Sequence, residues 1–240
     1  MNGVPATALS VTRTTGSGRP VVFLHGLASS ALVDWPDAEW SETFPGRPRV
    51  LVDLPAHGAS PDAGVLSTSG VVELIVQAVR DAVGAGPVDV VGYSLGARLG
   101  WALATRPELA VRRIVLGGLS PSEPFVLVDL PAARAAVAGG EAPADPLTGM
   151  ILAMASSPGN RPGALLDLIE GLSSDPFDPA VGAPEQPVLL LGGDGDPMAQ
   201  GIDALAAALP DARVERVPGD HLAALHSPEL RAAVHRFLGD

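Results

Sequence analysis

Gly92-Tyr93-Ser94-Leu95-Gly96 sets a serine between two glycines, where the apolar run Val88 to Val91 gives way to a helical pattern from Leu95 to Thr105. A serine hydroxyl is a poor nucleophile until a base removes its proton, and that base needs an acid partner to orient it. A sharp strand-to-helix turn presents such a serine, and small residues two before and two after let neighbouring backbone approach. The helix that follows aims its first N–H groups at developing negative charge. Two later runs end in residues that complete the set. Val188 to Leu191 leads into Gly192-Gly193-Asp194-Gly195-Asp196-Pro197, and Arg213 to Val217 leads towards Gly219-Asp220-His221. The order serine, acid, histidine is one in which acyl-transfer relays are built. His221 is the candidate base. Asp194, Asp196 and Asp220 are candidate acids, with Asp220 last because sequence neighbours rarely point at one target.

The elements that must position these residues are legible as alternating patterns. Val21 to Leu24, Arg49 to Val52, Val88 to Val91, Ile114 to Leu116 and Val188 to Leu191 are short, nearly uninterrupted apolar runs, as expected of strands buried on both faces of a parallel sheet. Arg213 to Val217 alternates and reads as an edge strand; a further strand is expected around Ala8 to Thr12. Amphipathic segments lie between them: Val71 to Val83, Leu95 to Thr105, Gly201 to Leu209, and a last helix opening at Ser227-Pro228. The expected fold is α/β, a doubly wound, mostly parallel sheet. Residues 119–186 break the rhythm, being far longer than one crossover helix requires. Helical patterns near Pro131 to Ala138, Leu147 to Ala155 and Ala164 to Leu172 make this segment a helical cap insertion, with the core formed by residues 1–118 and 187–240.

Composition narrows the function. The formal charge is −12, every one of the 15 basic residues is Arg, and Cys is absent. That disfavours nucleic-acid partners, and it excludes lysine Schiff-base chemistry, disulfides, thiolate metal sites and a cysteine nucleophile. No His and carboxylate set has metal-ligand spacing, so no metal is expected. Met1 to Arg13 lacks a basic, then apolar, leader pattern, and no run reaches the ~20 apolar residues of a membrane span. The expected setting is cytoplasmic and the expected partner a small-molecule substrate; oligomeric state leaves no trace in the sequence.

From about residue 6 to the end, the chain resembles the α/β-hydrolase superfamily, least so in the insertion. His25-Gly26 resembles that family's H-G oxyanion turn. Asp53-Leu54-Pro55-Ala56-His57-Gly58-Ala59-Ser60 is similar to its D-L-P-G-H-G-x-S loop, with Ala56 for the usual Gly. Gly193 to Asp196 resembles its G-x-x-D, and His221 its terminal G-H, with Asp220 replacing the common Gly. The resemblance implies a triad of Ser94, Asp196 and His221, with Asp194 as a turn or supporting residue, and an oxyanion hole from the backbone N–H groups of Leu27 and Leu95. His25 is expected to brace its turn and Tyr93 to lie beside the nucleophile. With Arg98, Phe125, Met150 and Met154 they make up the candidate pocket; Phe125, Met150, Met154, Leu165 and Leu168 read equally well as an apolar pocket wall or as core packing within the insertion. Arg98 reads by default as a helix-surface or salt-bridged residue, and His57 as a loop residue beside the pocket. His226 and His235 read as surface helix residues. The implied function is hydrolysis of carboxylic esters or related acyl compounds through an acyl-enzyme, for which no cofactor is expected. Gly-Tyr-Ser-Leu-Gly-Ala-Arg, ending at Arg98, also resembles the G-Y-S-M-G-G-R stretch of the menaquinone-pathway SHCHC synthases, which implies the alternative of a pyruvate-eliminating lyase. Some members of the fold are receptors, which is the non-catalytic alternative.

Overall fold

Successive residues of a strand face opposite sides of a sheet, and here both sides are covered. Val22, Leu24, Val88, Val90, Val188 and Leu190 enter one apolar cluster, while Val21, Phe23, Val91, Leu189 and Leu191 enter the other. The computed structural model describes residues 8–239. The first seven residues of the stretch read for a leader, and the outermost core boundaries at 1 and 240, lie outside these. Seven strands, β1 (Val11–Arg13), β2 (Val21–Leu24), β3 (Arg49–Val52), β4 (Val88–Tyr93), β5 (Val111–Gly117), β6 (Val188–Gly193) and β7 (Ala212–Val217), form one sheet in the order β1-β3-β2-β4-β5-β6-β7. All pairings are parallel except β1 with β3, where Val11 lies opposite Val52. The fold is α/β, and mostly parallel. β7 sits at the edge, and the first strand is later and shorter than the run around Ala8 suggested.

On one face lie α3 (Thr68–Val83), α4 (Leu95–Ala104) and α8 (Ile202–Ala207). The other face carries α1 (Ala31–Asp34), α2 (Asp37–Thr43), α9 (His221–Leu225) and α10 (Pro228–Leu238), with Phe23, Trp35, Trp40 and Phe44 in a chain of ring contacts. Between β5 and β6 come a 3-10 turn (Pro124–Leu127) and three helices, α5 (Leu130–Val137), α6 (Pro146–Ala155) and α7 (Pro162–Ser173). Asp129 and Asp145 cap α5 and α6 by accepting from Ala132 N and Thr148 N, and a proline opens each of α6 and α7. Phe125, Ile151, Leu166, Ile169 and Leu172 of this stretch share the apolar cluster of α3 and α4. These side chains therefore pack in the main core.

Candidate active site

Ser94 closes β4 and caps α4 with φ 53° and ψ −116°, a conformation that costs roughly 1–3 kcal/mol for a non-glycine residue. The surroundings hold it there: Ser94 N donates to Gly117 O at 2.8 Å, and Arg98 N donates to Ser94 O at 3.0 Å. The flanking glycines are needed for close approach. A Cβ at Gly96 would stand 2.1 Å from Leu24 O, and one at Gly92 would stand 2.4 Å from Gly96 O.

Of the three candidate acids, Asp196 is the one bonded to His221, its Oδ2 lying 2.8 Å from Nδ1. Its side chain is fully buried, and its Oδ1 accepts from Met198 N at 2.8 Å. Asp194 is exposed. Asp220 spends Oδ1 as an N-cap, accepting from Leu222 N and Ala223 N. The histidine therefore starts helix α9. Tyr93 lies against it, ring centroids 5.1 Å apart, and Tyr93 Oη donates to His221 O at 2.6 Å. Burial raises the Tyr93 phenol above its ordinary range, so the hydroxyl stays a donor. With Nδ1 given to Asp196, Nε2 is the ring nitrogen left for Ser94. The two residues line one cavity without a hydrogen bond between them, a spacing common before substrate closes such a site.

Opposite the serine runs the turn from β2 to α1. Gly26 N donates to Asp34 Oδ2 at 2.7 Å and Ala28 N to His57 Nε2 at 2.9 Å. Among the described residues, neither Leu27 N nor Leu95 N has a hydrogen-bond acceptor. His25 braces this turn: Nδ1 donates to Gly26 O at 2.7 Å, and Nε2 accepts from Leu54 N at 2.9 Å. Burial lowers His25 to about 4, and burial together with repulsion from His25 lowers His57 to about 3. Both rings are neutral, as acceptance at Nε2 requires.

The cavity of about 480 Å³ is lined by Leu27, Ser94, Leu95, Arg98, Phe125, Met150, Met154 and His221 among others. Two expectations need correction. His25 and Tyr93 stand behind the lining, because their polar atoms are taken up in bracing loops. Leu165 and Leu168 are buried in the core and do not reach the cavity. His57 lies in the loop after β3, buried, with its Nε2 accepting from Ala28 N next to the lining residue Leu27. Arg98 borders the cavity as a salt-bridged, buried residue, not a surface one. Its Nε donates to Glu123, Nη1 to Thr68 Oγ1 at 3.0 Å, and Nη2 to Leu172 O and Asp175 O, each at 3.1 Å. Glu123 also accepts from Phe125 N and Phe177 N. Glu123 and Asp34 escaped the sequence reading. The one available signal for Glu123 was a lone acid between prolines in an apolar stretch. His226 and His235 are exposed. Among the described residues no cluster of three or more His, Asp or Glu is placed to hold a metal, and no helix is long and apolar enough to cross a membrane.

Residues 19–139 match the family model of the alpha/beta hydrolase fold. A 2-succinyl-6-hydroxy-2,4-cyclohexadiene-1-carboxylate synthase of Klebsiella pneumoniae is 32% identical over 104 residues, 42% of this chain and 38% of the relative. A pimeloyl-[acyl-carrier protein] methyl ester esterase of Nitrosomonas europaea is 35% identical over 109 residues, 45% of this chain and 40% of the relative. The chain thus spans well under half the length of these curated relatives. A hydrolase from Pseudomonas aeruginosa shares the fold, with a TM-score of 0.76 at 21% identity over 97% of this chain and 94% of that one.

Proposed function

The chain belongs to the α/β-hydrolase fold family, and from that premise we propose that it is a serine hydrolase of neutral carboxylic esters with apolar acyl groups. Ser94 Oγ attacks the ester carbonyl while His221 Nε2 takes its proton. Asp196 holds the Nδ1–H and stabilises the imidazolium. The tetrahedral oxyanion accepts from Leu27 N and Leu95 N. Collapse expels the alcohol, protonated by His221, and water activated by the same ring frees the acid. Residues 119–186 act as the lid over this chemistry.

One observation carries the substrate class: the serine and the Asp196–His221 pair open onto an apolar cavity whose wall charges are already satisfied. The relatives named as synthases favour a second reading, elimination of pyruvate from a substrate bearing succinyl and carboxylate groups. Such an anion needs a cation on the wall, and Arg98 has its charge paired with Glu123 and four of its five N–H donors committed to Glu123, Thr68 and two carbonyls. Ester cleavage is therefore preferred. A series of p-nitrophenyl esters of graded chain length tests it: turnover should rise with apolar chain length, and Ser94→Ala should lose about 10⁴-fold or more at unchanged folding. Undiminished turnover in that variant, or pyruvate release from the synthase substrate in place of ester cleavage, would overturn the proposal.

A further inference from the structure

Ala28 follows directly on the proposed oxyanion donor Leu27, and its backbone is left-handed, φ 59°. An alanine does not rest there unaided. Two side chains hold its two peptide groups. On one side Ala28 N donates to His57 Nε2 at 2.9 Å. On the other, Asn160 Nδ2 donates to Ala28 O at 3.0 Å. His57 belongs to the loop after β3, whereas Asn160 belongs to the insertion, between α6 and α7.

Asn160 Nδ2 also donates to Met154 O at 3.0 Å, one of the last carbonyls of α6. Both acceptors are carbonyl oxygens, so only the amide nitrogen can face them. The backbone of Asn160 is fixed too, its N–H donating to Ser157 O at 3.1 Å. The side chain thus links the end of a lid helix, whose Met150 and Met154 line the cavity, to the residue beside the oxyanion donor.

We propose that Asn160 is a positioning residue which, with His57 on the opposite side, holds Ala28 so that Leu27 N–H faces the developing oxyanion, making the oxyanion hole depend on the seated lid. The proposal rests on the hydrolase reading above. Losing the Asn160 amide lets the Ala28 peptide relax towards ordinary backbone, and a donor misplaced by ~1 Å weakens transition-state stabilisation by up to about 100-fold. Substrate binding in the apolar cavity is made by other atoms and is unaffected.

The test is Asn160→Ala, with Asn160→Gln as the donor-keeping comparison. For Asn160→Ala, kcat on the p-nitrophenyl esters should fall about 10- to 100-fold at near-constant KM. The rate of Ser94 labelling by a fluorophosphonate, whose phosphoryl oxygen occupies the same hole, should fall in parallel. Asn160→Gln should recover part of both. Wild-type kcat and labelling rate in Asn160→Ala, or a raised KM at unchanged kcat, would overturn the positioning role while leaving the hydrolase reading intact. A wild-type protein that fails to label at Ser94 would overturn both.

Discussion

Asp196 divides its two oxygens between the proposed base and the chain: Oδ2 holds His221 Nδ1, and Oδ1 holds Met198 N at the start of the turn after β6. That division fixes what an amide would do here. In Asp196→Asn the carbonyl oxygen keeps Met198 N, so the NH2 faces His221 and forces the tautomer in which Nε2 carries the proton. The base then cannot accept from Ser94, and kcat/KM should drop about 10⁴-fold with the fold intact. A loss smaller than tenfold, with the thermal midpoint unchanged, would show that the carboxylate has no such part. Spacing alone left three acids open at this position. Asp194 and Asp196 both follow the strand, and only the direction of the turn, which leaves one exposed and buries the other, separates them. Asp220 gave no sign of its capping role because the five-residue helix it starts is too short to have a periodicity.

Between elements, the Arg98–Glu123 pair joins α4 to the segment between β5 and β6, and Thr68 Oγ1, Leu172 O and Asp175 O extend the joint to α3 and the end of α7. Both side chains are almost wholly buried, 4% and 3% exposed. Removing one member of such a pair strands the other in the interior. Arg98→Met should therefore destabilise by about 3–5 kcal/mol in urea unfolding, and adding Glu123→Gln should recover part of it. A cost below about 1 kcal/mol would mean that packing alone seats the insertion. The central strands were legible because burial on both faces demands uninterrupted apolar runs, and the long helices because one face of each is wet. The four residues of α1 span barely one turn and have no side-chain cap. The contacts of Arg98 were invisible for another reason: its partners lie up to 77 positions away, on segments whose placement depends on how the insertion folds back.

Over the whole molecule the acidic excess, formally −12, and the two buried imidazoles pull stability in opposite directions as pH falls. Carboxylates take up protons mainly near pH 4, so relief of their mutual repulsion comes late. The imidazoles act earlier. His25 and His57 lie in ring contact, centroids 4.9 Å apart, and burial lowers them to about 4 and about 3, while in the unfolded chain both titrate near 6.5. Below that value the unfolded state binds protons that the folded state refuses. The stabilisation is therefore complete above about pH 6.5 and is lost progressively as pH falls towards the folded values. Between pH 7 and 5 each imidazole should withdraw about 2 kcal/mol, and the carboxylates have barely begun to respond. Asp34, raised by burial, works with the opposite sign, gaining relative to the unfolded chain as it takes up its proton in more acid solution. Urea unfolding at the two pH values should thus show a loss of about 4 kcal/mol at pH 5, and His57→Gln, which keeps an acceptor for Ala28 N without a titrating ring, should roughly halve that difference. A pH-independent stability over this interval would mean that both rings open to solvent and charge in the folded state, and a loss of only about 2 kcal/mol that one of them does. The brace on the Ala28 peptide would then be lost in mild acid, well before the fold itself.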